Sequence, residues 1–190
     1  ILFVEKEAKY RQLLPIADVL GVSIVSGGGW QATALIEDLA NVLESDKSYS
    51  IFVLTDFDPT GYQISDDFRR RVQTHGINVE RVERVGIEPG QIPQETLEAE
   101  KFRVPVENDN DREWLQKHGI TDEFGDPAFG LELEAIGSRG SQAADFRRVV
   151  VDALEPHLDK DRRRNKDTNI ETANVVAKGV DGLVDQITES

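Results

Sequence analysis

Apolar residues along this chain fall into two alternating rhythms. LFVE (2–5), VSIV (22–25), SIFVLT (50–55) and INVERV (77–82) are short runs of strand type. SIFVLT is the greasiest of them, as a strand covered on both faces should be. Between these runs the spacing stretches to that of a helix. Residues 7–19 carry Ala8, Leu13, Leu14 and Ala17 at helical intervals, with Pro15 expected to kink or break the helix and Gly21 to end it. QATALIEDLANVLE (31–44) sets Leu35, Ile36, Leu39, Val42 and Leu43 on one face. A third helix opens at Pro59, a residue suited to a first turn, carries Ile64, Phe68 and Val72 as its stripe, and stops at Gly76. This β-α-β-α-β-α-β order predicts an α/β fold, a Rossmann-like parallel sheet of about four strands with helices on both faces.

After about residue 86 the pattern loosens. IEPGQIPQETLEAEKFRVPVEND holds three prolines and many acids, and reads as a connection with short elements. REWLQKHG (112–119) reads as a short helix and AADFRRVVVDALEPHL (143–158) as a strong one. The charge run DKDRRRNKD (159–167) reads as a solvated segment, and the weakly amphipathic stretch to residue 190 as a terminal helix.

With 190 residues, the chain is expected to be one domain, or one with an appendage. No apolar run approaches 18 residues, and the opening ILFVEKE lacks a basic leader, so a cytoplasmic protein without a membrane span is expected. The lack of cysteine excludes disulfides and thiolate zinc sites. His75, His118 and His157 are scattered without ligand spacing and read as packing or surface residues. The lack of methionine, even at position 1, reads as a fragment, a processed product or the ordered part of something longer. The formal charge of −14 opposes phosphate backbones unless a high-salt host explains it or a partner supplies positive charge.

The candidate chemistry lies where strands end, because sites in parallel α/β sheets form at the carboxyl ends of strands. Glu5 closes the first strand, the turn SGGG (26–29) follows the second, and Asp56 and Asp58 follow the third. Carboxylates so close repel and raise one another's pKa, and a divalent cation removes that cost. Oxygen donors without histidine or cysteine nearby favour Mg2+ or Mn2+. Asp56 and Asp58 could instead cap the helix at Pro59, but one Asp suffices for a cap and leaves Glu5 unexplained. Gly27 and Gly28 match no nucleotide fingerprint; they read as a tight turn, or as room for a phosphate or a metal-bound water beside the acids. Glu5 rather than Glu7 is expected to complete the site, facing Asp56 across adjacent strands at about 5 Å. Glu7, Glu132 and Glu134 are second choices. Arg69, Arg70 and Arg71, with Arg162, Arg163 and Arg164, are candidate phosphate contacts or solvated helix faces.

Four motifs in order carry a family resemblance. VEKEAKYRQL (4–13), SGGGWQATALIEDL (26–39), DFDPTGYQI (56–64) and GLELEAIG (130–137) together resemble the Toprim domain of the type IIB topoisomerase (topoisomerase VI) A subunit and related Toprim nucleases. The resemblance spans roughly residues 1–158, leaving 159–190 as a charged appendage. It implies that Glu5, Asp56 and Asp58 are metal ligands and catalytic, that Gly27 is the turn glycine, and that the chain works on DNA. A homodimer or a partner subunit, an ATPase among the candidates, is implied with it. Two positions depart from the family. Its catalytic tyrosine lies in a preceding winged-helix domain, a context that Tyr10, Tyr49 and Tyr62 lack, and Ser26 stands where a lysine is usual. The chain therefore reads as the metal-binding half of a cleavage-and-rejoining enzyme, or as a nuclease in which water replaces tyrosine.

A rival reading comes from DFDPT, which also fits the DxDxT motif of haloacid-dehalogenase-type phosphohydrolases. Two strand–helix units precede it here, and Gly125-Asp126 lacks the acid that should follow. A non-catalytic interaction domain is the third reading.

Overall fold

The computed structural model describes residues 1–27, 31–133 and 140–158, with the backbone alone for 31–33 and 140–145. Its first half is the expected parallel unit. Strands β1 (Leu2–Val4), β2 (Ile24–Ser26), β3 (Tyr49–Leu54) and β4 (Val79–Val85) alternate with helices α1 (Glu7–Leu20), α2 (Gln31–Val42) and α3 (Pro59–Thr74). The strands lie in the order β2-β1-β3-β4, all parallel. Alternation of side chains splits the core in two. Leu2, Val4, Phe52 and Leu54 pack in one cluster with Leu13, Ile16 and Leu20 of α1 and with the closing helix α6 (Gly140–Leu154) through Phe146 and Val150. Phe3, Ile51 and Val53 pack in the other, with Ile36 and Leu39 of α2 and Phe68 and Val72 of α3.

The helix ends follow the local rules. Gly21 after α1 and Gly76 after α3 take left-handed backbone at φ 61 and 70, a conformation that suits a residue without Cβ. Pro15, expected to kink or break α1, lies inside an unbroken helix. The apolar face of Leu13, Ile16, Ala17 and Leu20 is buried against the sheet, and that burial outweighs the one backbone hydrogen bond a helical proline forfeits.

The second half holds more order than its sequence announces. After α4 (Gln94–Glu100), a separate antiparallel sheet forms from β5 (Lys101–Arg103), β6 (Ile120–Thr121) and β7 (Pro127–Leu131), in the order β5-β7-β6. Helix α5 (Asp109–His118) is inserted between β5 and β6 and starts on a reciprocal cap, the side chains of Asn108 and Asp111 each accepting backbone N–H groups from the other's end. The stretch 87–109, read as a connection with short elements, holds α4 and β5, and β6 and β7 follow it in a stretch where no strand was expected. These strands are too short to show a two-residue rhythm, so tertiary pairing rather than local pattern makes them.

Strand β7 also reaches the first sheet. The N–H of Phe57 donates to the carbonyl of Leu131 and the N–H of Leu131 to the carbonyl of Phe57, each at 2.9 Å. The segment right after β3 is therefore clamped between both sheets. The expected terminal helix and the boundary near residue 158 fall outside the described residues. Among the described residues, no helix is long and apolar enough to cross a membrane.

Candidate functional site

In a sheet ordered β2-β1-β3-β4, the chain direction of strand addition reverses between β1 and β3, and a crevice opens there at the carboxyl ends. Backbone hydrogen bonds carry the sheet pairing to that edge: Glu5 N–H donates to Leu54 O at 3.2 Å, and Gly27 N–H to Val4 O at 3.3 Å. Glu5 follows β1 directly, Gly27 follows β2 directly, and Asp56 follows β3 by one residue. The fold thus brings Glu5, Gly27, Asp56 and Asp58 to one edge, as their positions after strands suggest. Glu7 instead opens α1, where it is exposed, and its carboxylate accepts long bonds from Arg11 and from Ser26 Oγ, both at 3.4 Å.

The side chains at this edge are engaged within the chain. Asp56 is buried, and its Oδ1 accepts the backbone N–H of Leu133 at 2.8 Å. Its Oδ2 stands 3.3 Å from the ammonium of Lys6, which also lies 3.9 Å from Glu5 Oε1. Asp58 is the N-cap of α3, its Oδ1 accepting the N–H of Gly61 at 2.6 Å. Burial pushes the Asp58 carboxyl above the usual carboxylate range and the Asp56 charge adds to this, whereas the Gly61 hydrogen bond, Lys6 and Arg84 act the other way. Glu5 and Gly27 line a cavity of about 210 Å³ with Thr60, Gln63 and Arg71. Asp58 lines a second one of about 380 Å³ with Asn108 and Asp111, and Thr60 and Gln63 border both.

Close backbone approaches hold Asp56 in place. A Cβ on Gly61 would lie 2.2 Å from the Asp56 carbonyl oxygen, so the glycine lets the first turn of α3 press against that peptide. On the opposite side, the guanidinium of Arg84 donates to Asp56 O at 2.8 Å and to Thr55 O and Oγ1 at 3.2 Å each. It pairs with Glu88 at 2.7 Å and lies 4.4 Å from the centre of the Tyr62 ring. A Cβ on Gly86 would stand 2.5 Å from that guanidinium, so this glycine makes room for it. Sequence reasoning missed Lys6 and Arg84. Lys6 was visible in VEKEA as the cation next to Glu5. Arg84 had a weaker signal: an arginine near the end of a strand whose neighbour in the sheet carries the two aspartates.

The remaining candidates sit elsewhere. Arg69 donates to Val82 O through Nε and Nη2 and pairs with Asp66 at 3.3 Å. Arg70 and Arg71 both pair with Asp67, whose carboxyl is held below its usual range first by the Arg70 hydrogen bond. Of the three, Arg71 reaches the cavity that Glu5 lines. Glu132 is exposed. His118 packs its ring against Tyr62 at 4.7 Å and Trp114 at 5.9 Å, His157 packs against Phe52 at 4.9 Å, and His75 is exposed; these are the packing and surface roles expected of them. Gly28, Glu134 and Arg162–Arg164 lie outside the described residues.

The donors suit a hard divalent cation: Glu5, Asp56 Oδ2 and the second oxygen of Asp58 are carboxylate oxygens at one sheet edge. Their present arrangement does not wrap around one, for among the described residues no three or more His, Cys, Asp or Glu side chains form a metal-holding group. The Lys6 ammonium is the cation beside Glu5 and Asp56. No family model, curated protein or solved structure matches this chain.

Proposed function

We propose that this chain is a Mg2+- or Mn2+-dependent Toprim domain of a DNA-processing protein, acting in strand cleavage and rejoining in the manner of the topoisomerase VI A subunit. One observation supports it most: Glu5, Asp56 and Asp58 share the carboxyl edge at the switch point of a four-stranded parallel sheet. Glu5, Asp56 and Asp58 would hold the metal, which supplies charge stabilisation at a scissile phosphate when bound. The chain's own residues do the positioning. Arg84 and Gly61 fix the Asp56 peptide, and the Leu133 N–H orients the Asp56 carboxylate. Thr60 and Gln63 of α3 border both cavities and would be the polar groups of that helix to face an anionic phosphate. DNA is the substrate in this reading, and a second copy or a partner subunit, such as an ATPase, completes the assembly.

Hydrolysis by water is the second reading, and for this chain acting alone the settings of Tyr62 and Tyr49 are consistent with it. Tyr62 lies with its ring under Arg84, and burial pushes its hydroxyl up rather than activating it. Tyr49 sits at the start of β3, the far end from the acids, and its hydroxyl accepts the Glu44 N–H.

Titration calorimetry with MgCl2 and MnCl2 tests the site. Binding heat in the wild type that is lost in the Asp56→Asn, Asp58→Asn double variant is the expected result, and equal heats in both proteins sink it. Nicking of supercoiled plasmid by the wild type alone in Mn2+ would select water as the nucleophile; binding without nicking would select a nucleophile from another domain or subunit.

A further inference from the structure

The Lys6 ammonium occupies the approach to the acids that a divalent cation would need. Asp56 has one oxygen committed to a backbone donor, since Oδ1 accepts the Leu133 N–H at 2.8 Å in a buried setting. Its other oxygen, Oδ2, faces the cation already present. Lys6 stands at that oxygen, 3.3 Å away, and it reaches toward Glu5 as well, at 3.9 Å. A Mg2+ ion needs ligand oxygens at about 2.1 Å and near-octahedral directions around it. An ammonium and a dication cannot share the same side of Asp56 Oδ2 without strong like-charge repulsion.

We infer that Lys6 is an exchangeable internal counter-ion: it balances Glu5 and Asp56 until a divalent cation displaces it. The chemistry of lysine suits this. Its charge sits on a flexible four-carbon stem and is retained on leaving, so it can move while the backbone stays fixed. Lys6 is also the N-cap residue of α1, so its backbone is anchored between β1 and that helix while its side chain alone swings. This inference rests on the metal reading above and adds to it a residue that the motif of three acids does not contain.

The test uses the wild-type chain and a Lys6→Met variant. Lysines are labelled briefly with an amine-reactive acetylating reagent, with and without MgCl2 at constant ionic strength, and quantified by mass spectrometry against exposed Lys47 as reference. Melting temperature and calorimetric metal heat are measured in parallel. The expected result is a Mg2+-dependent rise of several-fold in Lys6 labelling relative to Lys47, and metal affinity about ten- to a hundredfold tighter in folded Lys6→Met, from loss of one nearby like charge. If metal binds the wild type, by heat or melting shift, while Lys6 labelling stays constant, the counter-ion inference is overturned and the metal site survives. If neither heat nor melting shift appears in the wild type, the metal reading itself fails and the inference goes with it.

Discussion

Asp58 does two jobs whose free energies have opposite signs. As N-cap of α3 it satisfies the Gly61 N–H, a contribution of about 1 kcal/mol that Asn can also supply. As a half-buried carboxylate beside Asp56 it is held in an unfavourable charged form, which is why its pKa is raised. A carboxyl whose folded pKa lies above its unfolded value of 3.8 binds its proton more tightly when folded. It therefore costs stability above the folded pKa, and the cost is relieved as pH falls through that value toward the unfolded one. In chelator at pH 7, Asp58→Asn should melt at or above the wild type, and the gap should close as pH falls into the acid range. Asp58→Ala, which also loses the cap, should melt below Asp58→Asn by about 2–4 °C. Thermal melts of the three proteins across pH check this; an Asp58→Asn deficit at pH 7 would mean the charge stabilises the fold.

At the scale of elements, Pro15 is the one local choice in α1 that opposes its own helix. A proline in a helix interior costs about 3 kcal/mol, and its restriction of the unfolded chain returns up to about 1. Pro15→Ala should therefore raise stability by about 2 kcal/mol, seen as a rise in melting temperature of about 4–8 °C. A lower melting temperature would instead show that the half-buried pyrrolidine ring packs better than the alanine methyl. The elements legible in the sequence were those that carry their pattern locally: β1 to β4, the three helices between them, and α5 and α6 after them. Strands β5, β6 and β7 were not legible, because KFR, IT and PAFGL are too short to show a rhythm, and only pairing with one another and with Phe57 makes them strands. The site followed the same division. Glu5, Asp56 and Asp58 could be placed from the ends of apolar runs. Lys6 bridging two acids, the Arg84 clamp on the Asp56 peptide and the Leu133 N–H on Asp56 depend on side-chain reach and distant pairing, which no local spacing encodes.

For the molecule as a whole, the formal charge of −14 is not relieved by the arginine triplet of α3, since Arg69, Arg70 and Arg71 pair with Asp66 and Asp67 on their own helix. In the proposed reading, phosphate approach draws on cations outside that triplet or on charge brought by a partner.

The clamp between Phe57 and β7 also sets the order in which the molecule can be assembled. In the parallel sheet one helix joins β1 to β2 and β3 to β4, and the α1-β2-α2 stretch joins β1 to β3, whereas Leu133 reaches Asp56 across 77 positions of chain. Closing that span costs entropy before any contact is returned, so the second sheet is expected to dock after the transition state, and the carboxylate of Asp56 to gain its final orientation late. Leu131→Ala, which empties a fully buried position, should cost about 2–5 kcal/mol. That loss should appear almost wholly as faster unfolding, with the refolding rate unchanged, in stopped-flow denaturant jumps. A matching fall in the refolding rate would place β7 in the nucleus. On the expected outcome, a chain that has only just collapsed already owns its sheet and does not yet own its chemistry.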